Sequence, residues 1–260
     1  ALLSPRGTVL HCDFRPGMAH KRPVVLANSL GTDLRMWSDL IAQLPDEIPV
    51  LSWDKRGHGL SGGVASDIAT HAADCADLMD AFGLQGALVC GVSVGGMIAQ
   101  ALAASRPDLV AGLVLSNTAP RIGTPEKWAS RIDGVTANGL DATADQILEQ
   151  WFPAEFRRSS PAVVAGYRNM LVSTSTEGYL SVCAAIRDAD LTADTRGIGR
   201  TTLCVAGSDD GATSASLVRE MSELIKGAKY VCLDGVGHLP PIEVPGVFAD
   251  LLREAYERPA

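Results

Sequence analysis

The sequence predicts an α/β fold: short apolar strands alternate with helices to make a mostly parallel twisted sheet flanked by helices, and a block of helices is inserted into it. Three observations carry this. Apolar runs recur at Val24-Val25-Leu26-Ala27, Val50-Leu51-Ser52-Trp53, Ala87-Leu88-Val89-Cys90, Leu113-Val114-Leu115-Ser116, Leu203-Cys204-Val205-Ala206 and Tyr230-Val231-Cys232-Leu233. Strands apolar on both faces belong to a parallel sheet covered on both sides. Residues from about 121 to 195 break the alternation and read as helices alone. Finally, a serine stands between glycines where the third of these strands runs into a helix.

The helices follow in order. Residues 33–44 read as a helix between the first two strands. Ile68, Ala72, Cys75, Leu78, Met79 and Phe82 recur at helical spacing and predict an amphipathic helix. Met97 to Ala103 continues the serine turn as a helix. Two more helices are predicted from about Ala215 to Ile225 and from Pro245 onward. Within the interruption, Thr124-Pro125-Glu126 reads as an N-cap followed by proline at the first helical position, and Ser160-Pro161 repeats the signal. Trp128, Ile132 and Val135 would form one apolar face; Val163, Val164, Tyr167, Met170 and Leu171 would form another. Roughly four helices fit there. The expected organisation is a core of residues 1–120 and 196–260, with a helical cap, or lid, of residues 121–195 over the C-terminal edge of the sheet, where ligands bind in open α/β sheets.

Composition narrows the functional classes. A length of 260 residues suits one such domain with an insertion. A net charge of −8 argues against a nucleic-acid partner. No apolar run approaches ~20 residues, so no membrane span is expected. The first residues lack a basic segment followed by a long apolar one, so no signal peptide is expected. None of the six cysteines forms C-x-x-C or sits beside histidine at zinc-site spacing, so no metal is expected. Cys90, Cys204 and Cys232 fall in predicted strands and read as small buried apolar residues, kept reduced in a cytoplasmic protein. The oligomeric state, monomer or homo-oligomer, is left open.

The chemistry concentrates at Gly91-Val92-Ser93-Val94-Gly95-Gly96. A serine on a strand-to-helix switch adopts strained backbone angles, so the residues two away on each side must be small. Its Oγ then projects from the sheet beside the N–H of Val94, a ready oxyanion donor. This is a nucleophile elbow, although glycine-rich turns of this kind also bind phosphate or simply pack tightly. An elbow serine needs a base, an acid and a second donor. His238, in the glycine-rich loop after the last strand, suits the base. The acid belongs between serine and histidine, after an earlier strand. Gly207-Ser208-Asp209-Asp210 offers two aspartates; the G-x-x-D frame selects Asp210, with Asp209 as a loop cap or solvated charge. Asn28-Ser29-Leu30-Gly31 follows the first central strand and offers the Leu30 N–H as second donor. Asp54-Lys55-Arg56-Gly57-His58-Gly59-Leu60-Ser61 suits a tight turn next to the site, with Asp54, Arg56 and His58 holding the loop.

With these pieces in order, the chain resembles the α/β-hydrolase fold family over nearly its full length. Within it the chain looks most like the 3-oxoadipate enol-lactonases. The closer likeness lies in Asn28-Ser29-Leu30-Gly31-Thr32-Asp33-Leu34-Arg35-Met36-Trp37, Gly95-Gly96-Met97-Ile98-Ala99-Gln100, Ser116-Asn117-Thr118-Ala119, Arg121-Ile122-Gly123-Thr124-Pro125-Glu126-Lys127-Trp128, Cys204 through Gly211 and Gly237-His238-Leu239-Pro240. Asn28-Ser29 stands where the wider family often has His-Gly, and Val94 where such lactonases often have methionine; neither change removes a backbone N–H. Ser29 either adds a hydroxyl to the oxyanion site or merely fits the turn. Serine at the elbow argues against relatives that attack with a carboxylate or a thiolate.

The resemblance implies a hydrolase of aromatic-compound catabolism. It would open a small anionic lactone through an acyl-serine, with no metal or cofactor. Arg131 and Trp128, on one face of the first cap helix, are the expected substrate-binding residues together with Ser29, and Lys127 and Arg121 are nearby cations. A bidentate arginine and an indole N–H would hold the carboxylate; the same residues also fit a solvated helix face with Trp128 as core filler. A small-ester carboxylesterase, a C–C bond hydrolase or a cofactor-free perhydrolase would use the same triad, and a ligand receptor that retained it is a further alternative.

Overall fold

The computed structural model describes residues 1–259. Eight strands are present: β1 (Leu2–Leu3), β2 (Leu10–Arg15), β3 (Val24–Ala27), β4 (Val50–Trp53), β5 (Ala87–Val92), β6 (Val110–Ser116), β7 (Thr201–Gly207) and β8 (Lys229–Leu233). They form one sheet in the order β1-β2-β4-β3-β5-β6-β7-β8. The β1–β2 and β2–β4 pairings are antiparallel; all others are parallel. Every residue of β3, β4 and β5 is buried, on whichever face it lies, as a sheet covered on both sides requires. The six predicted strands all form, and an antiparallel pair extends the sheet beyond β4. Leu10-His11-Cys12-Asp13 carries the signal for β2: apolar and polar residues alternate, and Leu10 and Cys12 are the buried ones.

Two expectations fail, one for a local reason and one for a topological reason. Residues 33–44 are not one helix. A 3₁₀ turn, Leu34–Trp37, whose N-cap Asp33 accepts from the Arg35 N–H, gives way to a short helix, Ser38–Ile41. Pro45 follows too closely for a longer one. Cys232 is exposed, because β8 is the edge strand and lacks cover there; the other five cysteines are buried and all six are free thiols.

Helix Ile68–Ala81 packs against helix Val94–Ser105, which follows the serine, and helix Pro245–Glu257 lies against β5, β6 and β7. Between β6 and β7 come five helical segments rather than roughly four: Pro125–Trp151, Ala154–Ser159, Pro161–Val172, Thr176–Asp188 and Thr192–Arg196. The first is kinked at Gly139, whose φ of 79° is not helical. It packs against the third and fourth segments. The short last segment packs on helix Val94–Ser105. Among the described residues no helix is long and apolar enough to cross a membrane.

The serine turn shows why this local sequence is needed. Ser93 sits at φ 59°, ψ −122°, a region that side chains disfavour. The chain is forced into it by close backbone contacts. A Cβ at Gly91 would overlap the Gly95 carbonyl, and a Cβ at Gly95 would overlap the Ala27 carbonyl of β3. Gly95→Ala is therefore expected to cost about 3 kcal/mol or more in chemical denaturation. A loss below about 1 kcal/mol would show that the turn can relax.

Candidate active site

Ser93 lies between β5 and its helix, and its backbone is held on both sides. Its N–H donates to the Ser116 carbonyl (2.9 Å), and the Thr118 hydroxyl donates to its carbonyl (2.6 Å). Across the C-terminal edge of the sheet, Asp210 follows β7 and His238 follows β8. His238 Nδ1 lies 2.8 Å from Asp210 Oδ2. An ionised carboxylate only accepts, which assigns the proton to Nδ1 and leaves Nε2 with its lone pair. Asp210 is the aspartate so paired; Asp209 instead accepts from the Ser208 hydroxyl on the surface. Ser93 and His238 line one cavity, with no hydrogen bond between their side chains. Such bonds are often long in a free enzyme and tighten when substrate binds.

The Asp210 carboxylate is fully buried and accepts four N–H groups. Oδ1 takes those of Ala212 (2.7 Å) and Thr213 (2.9 Å); Oδ2 takes His238 Nδ1 and Asn117 Nδ2 (2.9 Å). Asn117 also donates to the Gly237 carbonyl (3.0 Å), so its amide ties the acid loop to the histidine loop. It adopts φ 50°, a conformation asparagine tolerates better than most residues. Glu243 holds the backbone around His238, accepting the N–H groups of Gly237 (2.7 Å) and Leu239 (3.0 Å) on either side of it. Burial raises the Glu243 carboxyl to about 7. The helix Pro125–Trp151 ends here as well. Its Gln150 and Trp151 carbonyls accept from the Gly211 N–H (3.2 Å) and the His238 N–H (2.7 Å). Neither Asn117 nor Glu243 is among the site residues expected from the sequence. A polar Ser-Asn pair ending an apolar strand at its C-terminal edge was the signal for the first.

The two expected oxyanion donors are free. Val94 opens a helix, so its N–H has no partner within that helix. Among the described residues the Leu30 N–H has no hydrogen-bond partner, and Leu30 lines the cavity. The loop before it is pinned from below. Lys55 Nζ donates to the carbonyls of Ser29 (2.6 Å) and Thr32 (3.2 Å), and His58 Nε2 accepts the Gly31 N–H (3.0 Å). His58 Nδ1 meets the Arg56 carbonyl (3.1 Å), which makes the ring a neutral one with its proton on Nδ1. Burial pushes its pKa well below the usual histidine value. Asp54 accepts the N–H groups of Leu34 and Leu60, and Arg56 forms a bidentate pair with Asp74 at 2.7 Å. All three residues hold loops.

The cavity has about 500 Å³ of space, its open mouth included. Ser29, Trp128 and Arg131 line it with Lys127, Gln150, Tyr179 and Thr213. The Ser29 hydroxyl is buried and has no hydrogen-bond partner. Arg131 Nη1 donates to Tyr179 Oη (3.1 Å) and Nη2 to Gln150 Oε1 (2.7 Å), both neutral acceptors. The expectation of an indole donor fails: Trp128 Nε1 already donates to the Ile122 carbonyl (2.5 Å), because the turn before the helix folds back beneath the ring. The ring still walls the cavity. Arg121 is spent on Asp190 (3.3 Å) at the surface.

This fold and site define a class, and the chain belongs to the Alpha/beta hydrolase family, whose pattern it matches over residues 24–251. It is a hydrolase with enol-lactonase relatives. It is 31% identical to 3-oxoadipate enol-lactonase 2 of Acinetobacter baylyi, over 93% of this chain and 91% of that one. The enol-lactonase of Burkholderia xenovorans LB400 superposes with a TM-score of 0.94 at 37% identity, covering 99% of this chain and all of that one. A thermophilic esterase from Thermogutta terrifontis, solved with malate bound, gives 0.89 at 27% identity over 98% and 96%.

Two measurements test the support beneath the site. Asn117→Gly removes the amide without straining the backbone. It is expected to lower kcat by about tenfold or more, the worth of a hydrogen bond to a charged group; a loss under about twofold would remove Asn117 from the acid's support. Burial also pulls Lys55 down from 10.5 to about 7, opposed by nearby Asp54 and Asp33. A folded value below the unfolded one makes stability rise with pH between about 7 and 10.5, by up to about 1.4 kcal/mol per pH unit. In Lys55→Met that rise is expected to flatten in denaturant titrations. Parallel wild-type and variant curves would show that Lys55 keeps its ordinary titration.

Proposed function

We propose that this chain is a serine hydrolase that opens a small enol-lactone bearing a carboxylate, 3-oxoadipate enol-lactone to 3-oxoadipate, through an acyl-serine. One observation carries the substrate class. Arg131 lines the same cavity as Ser93, yet among the described residues no carboxylate pairs with it. A guanidinium has five N–H donors, and two neutral partners leave donors free for a ligand. In a chain of net charge −8, an unpaired cation in the cavity favours a small anion. The neighbouring Lys127 adds to the field, and Trp128 contributes its ring face. The likeness to two enol-lactonases supports the reading, and so does the esterase solved with malate, a small dicarboxylate.

The sequence of steps follows from the groups present. Arg131 binds the carboxylate and sets the lactone carbonyl over Ser93. His238 Nε2 takes the Ser93 proton, and Oγ adds to the carbonyl carbon. The N–H groups of Leu30 and Val94 receive the oxyanion, each worth about 3–4 kcal/mol of the barrier. Asp210 holds the imidazole tautomer and stabilises the imidazolium. The ring C–O bond then breaks, its electron pair goes to the enol oxygen, and His238 returns the proton there. Water, with His238 again as base, releases the acyl group, and the enol becomes the 3-oxo diacid. Every step uses protein groups and water.

Ser93→Ala is expected to fold normally and lose about 10⁴-fold or more in kcat in a lactonase assay. Near wild-type turnover would remove the nucleophile. Arg131→Ala is expected to raise KM for the carboxylated lactone about tenfold or more while leaving a neutral ester within about twofold. Equal effects on both substrates would exclude a carboxylate anchor and favour a neutral-ester hydrolase.

A further inference from the structure

Thr213 has a buried hydroxyl that makes no hydrogen bond among the described residues. The residue is fully buried, its Oγ1 has no hydrogen-bond partner, and it lines the cavity that holds Ser93 and His238. An unpartnered buried hydroxyl is destabilising unless something supplies its partner. Its position is fixed from the chain side. Asp210 Oδ1 accepts the Thr213 N–H (2.9 Å), and Oδ2 of the same carboxylate lies 2.8 Å from His238 Nδ1. Thr213 and His238 therefore share the Asp210 carboxylate and line the same cavity. Gly211, two residues earlier, is bonded to the Gln150 carbonyl (3.2 Å), and the Gln150 side chain holds Arg131 (2.7 Å). The loop that carries the hydroxyl is thus tied to His238 through Asp210 and to Arg131 through Gln150, and it forms one sector of the cavity wall.

We propose that the Thr213 hydroxyl donates a hydrogen bond to the leaving oxygen of the substrate as the acyl C–O bond breaks. The inference rests on the acyl-serine reading above and names a further part of that site. In a carboxymethyl-substituted enol-lactone, the leaving oxygen is bonded to the carbon that carries the carboxylate arm. A substrate gripped at Arg131 therefore presents that oxygen to this sector. When the C–O bond breaks, the electron pair passes to the leaving oxygen and the proton from Ser93 reaches it through His238. Thr213 keeps its own proton and stabilises the negative charge that builds on the oxygen before the transfer is complete. The benefit depends on where that charge goes. It is large for an enolate or phenolate with localised charge, and small for p-nitrophenolate, which spreads the charge into its nitro group.

The test uses acetate esters, which share one acyl-enzyme and differ only in the leaving oxygen: vinyl acetate, phenyl acetate and p-nitrophenyl acetate. Wild type, Thr213→Val and Thr213→Ser are compared in kcat/KM, kcat and Tm. Thr213→Val is expected to lose about tenfold in kcat/KM on vinyl and phenyl acetate and under about threefold on p-nitrophenyl acetate, with no fall in Tm. Thr213→Ser is expected to recover most of the loss. A uniform loss across the series, or a lowered Tm with valine, would overturn the proposal by making the hydroxyl structural. A fall in kcat with kcat/KM unchanged would overturn it by placing the hydroxyl on the attacking water. These esters carry no carboxylate. If wild type does not open the carboxylated lactone, the substrate reading falls, while the valine pattern on acetates still decides the role of Thr213.

Discussion

The close approach of three backbone segments around Ser93 sets the terms for the rest of the molecule. Gly91, Gly95 and Ala27 meet where no Cβ fits, and the serine between the glycines is held at φ 59°. That strain needs a rigid surround. It comes from the parallel strands on either side of β5, with β3 buried throughout and β6 buried at all but Ala111, and from two hydrogen bonds that hold the serine's backbone from the β6 side. The same turn starts a helix, and so produces a free N–H next to the Ser93 hydroxyl. A hydroxyl and an anion site thus come from one local constraint.

The second half of the site is built around one buried carboxylate. Asp210 collects N–H groups from its own loop, from the end of β6 and from His238, and Asn117 and Glu243 hold the histidine loop from opposite sides. The long helix Pro125–Trp151 ends against the same loops, where its last carbonyls accept from Gly211 and His238. Gln150 takes part in both arrangements: its backbone meets the acid loop and its side chain positions Arg131. The cation in the cavity and the Asp210–His238 pair therefore share a mechanical base.

Much of this was legible in the sequence, for physical reasons that vary by residue. Strands β3 to β8 were readable because most of them are apolar on both faces. The Ser93 turn was readable because its glycines are a steric necessity. Choosing Asp210 over Asp209 needed only the loop frame. Other parts were not readable. Cys232 looked buried because its strand is apolar, but edge position is a property of strand order. The Trp128 indole looked free because its acceptor, the Ile122 carbonyl, is supplied by a turn rather than by a side chain. Asn117 acts through contacts with segments far away in the chain, and only the polar Ser-Asn pair at the strand end marks it; no local pattern marks Glu243 or Thr213.

The central claim is that Ser93 is the reactive group of this cavity. Reaction with a fluorophosphonate, followed by peptide mass spectrometry, tests it most directly. The account predicts a single adduct on the peptide containing Ser93, formed in step with the loss of hydrolytic activity. An adduct on another residue, or activity that survives complete modification of Ser93, would contradict it.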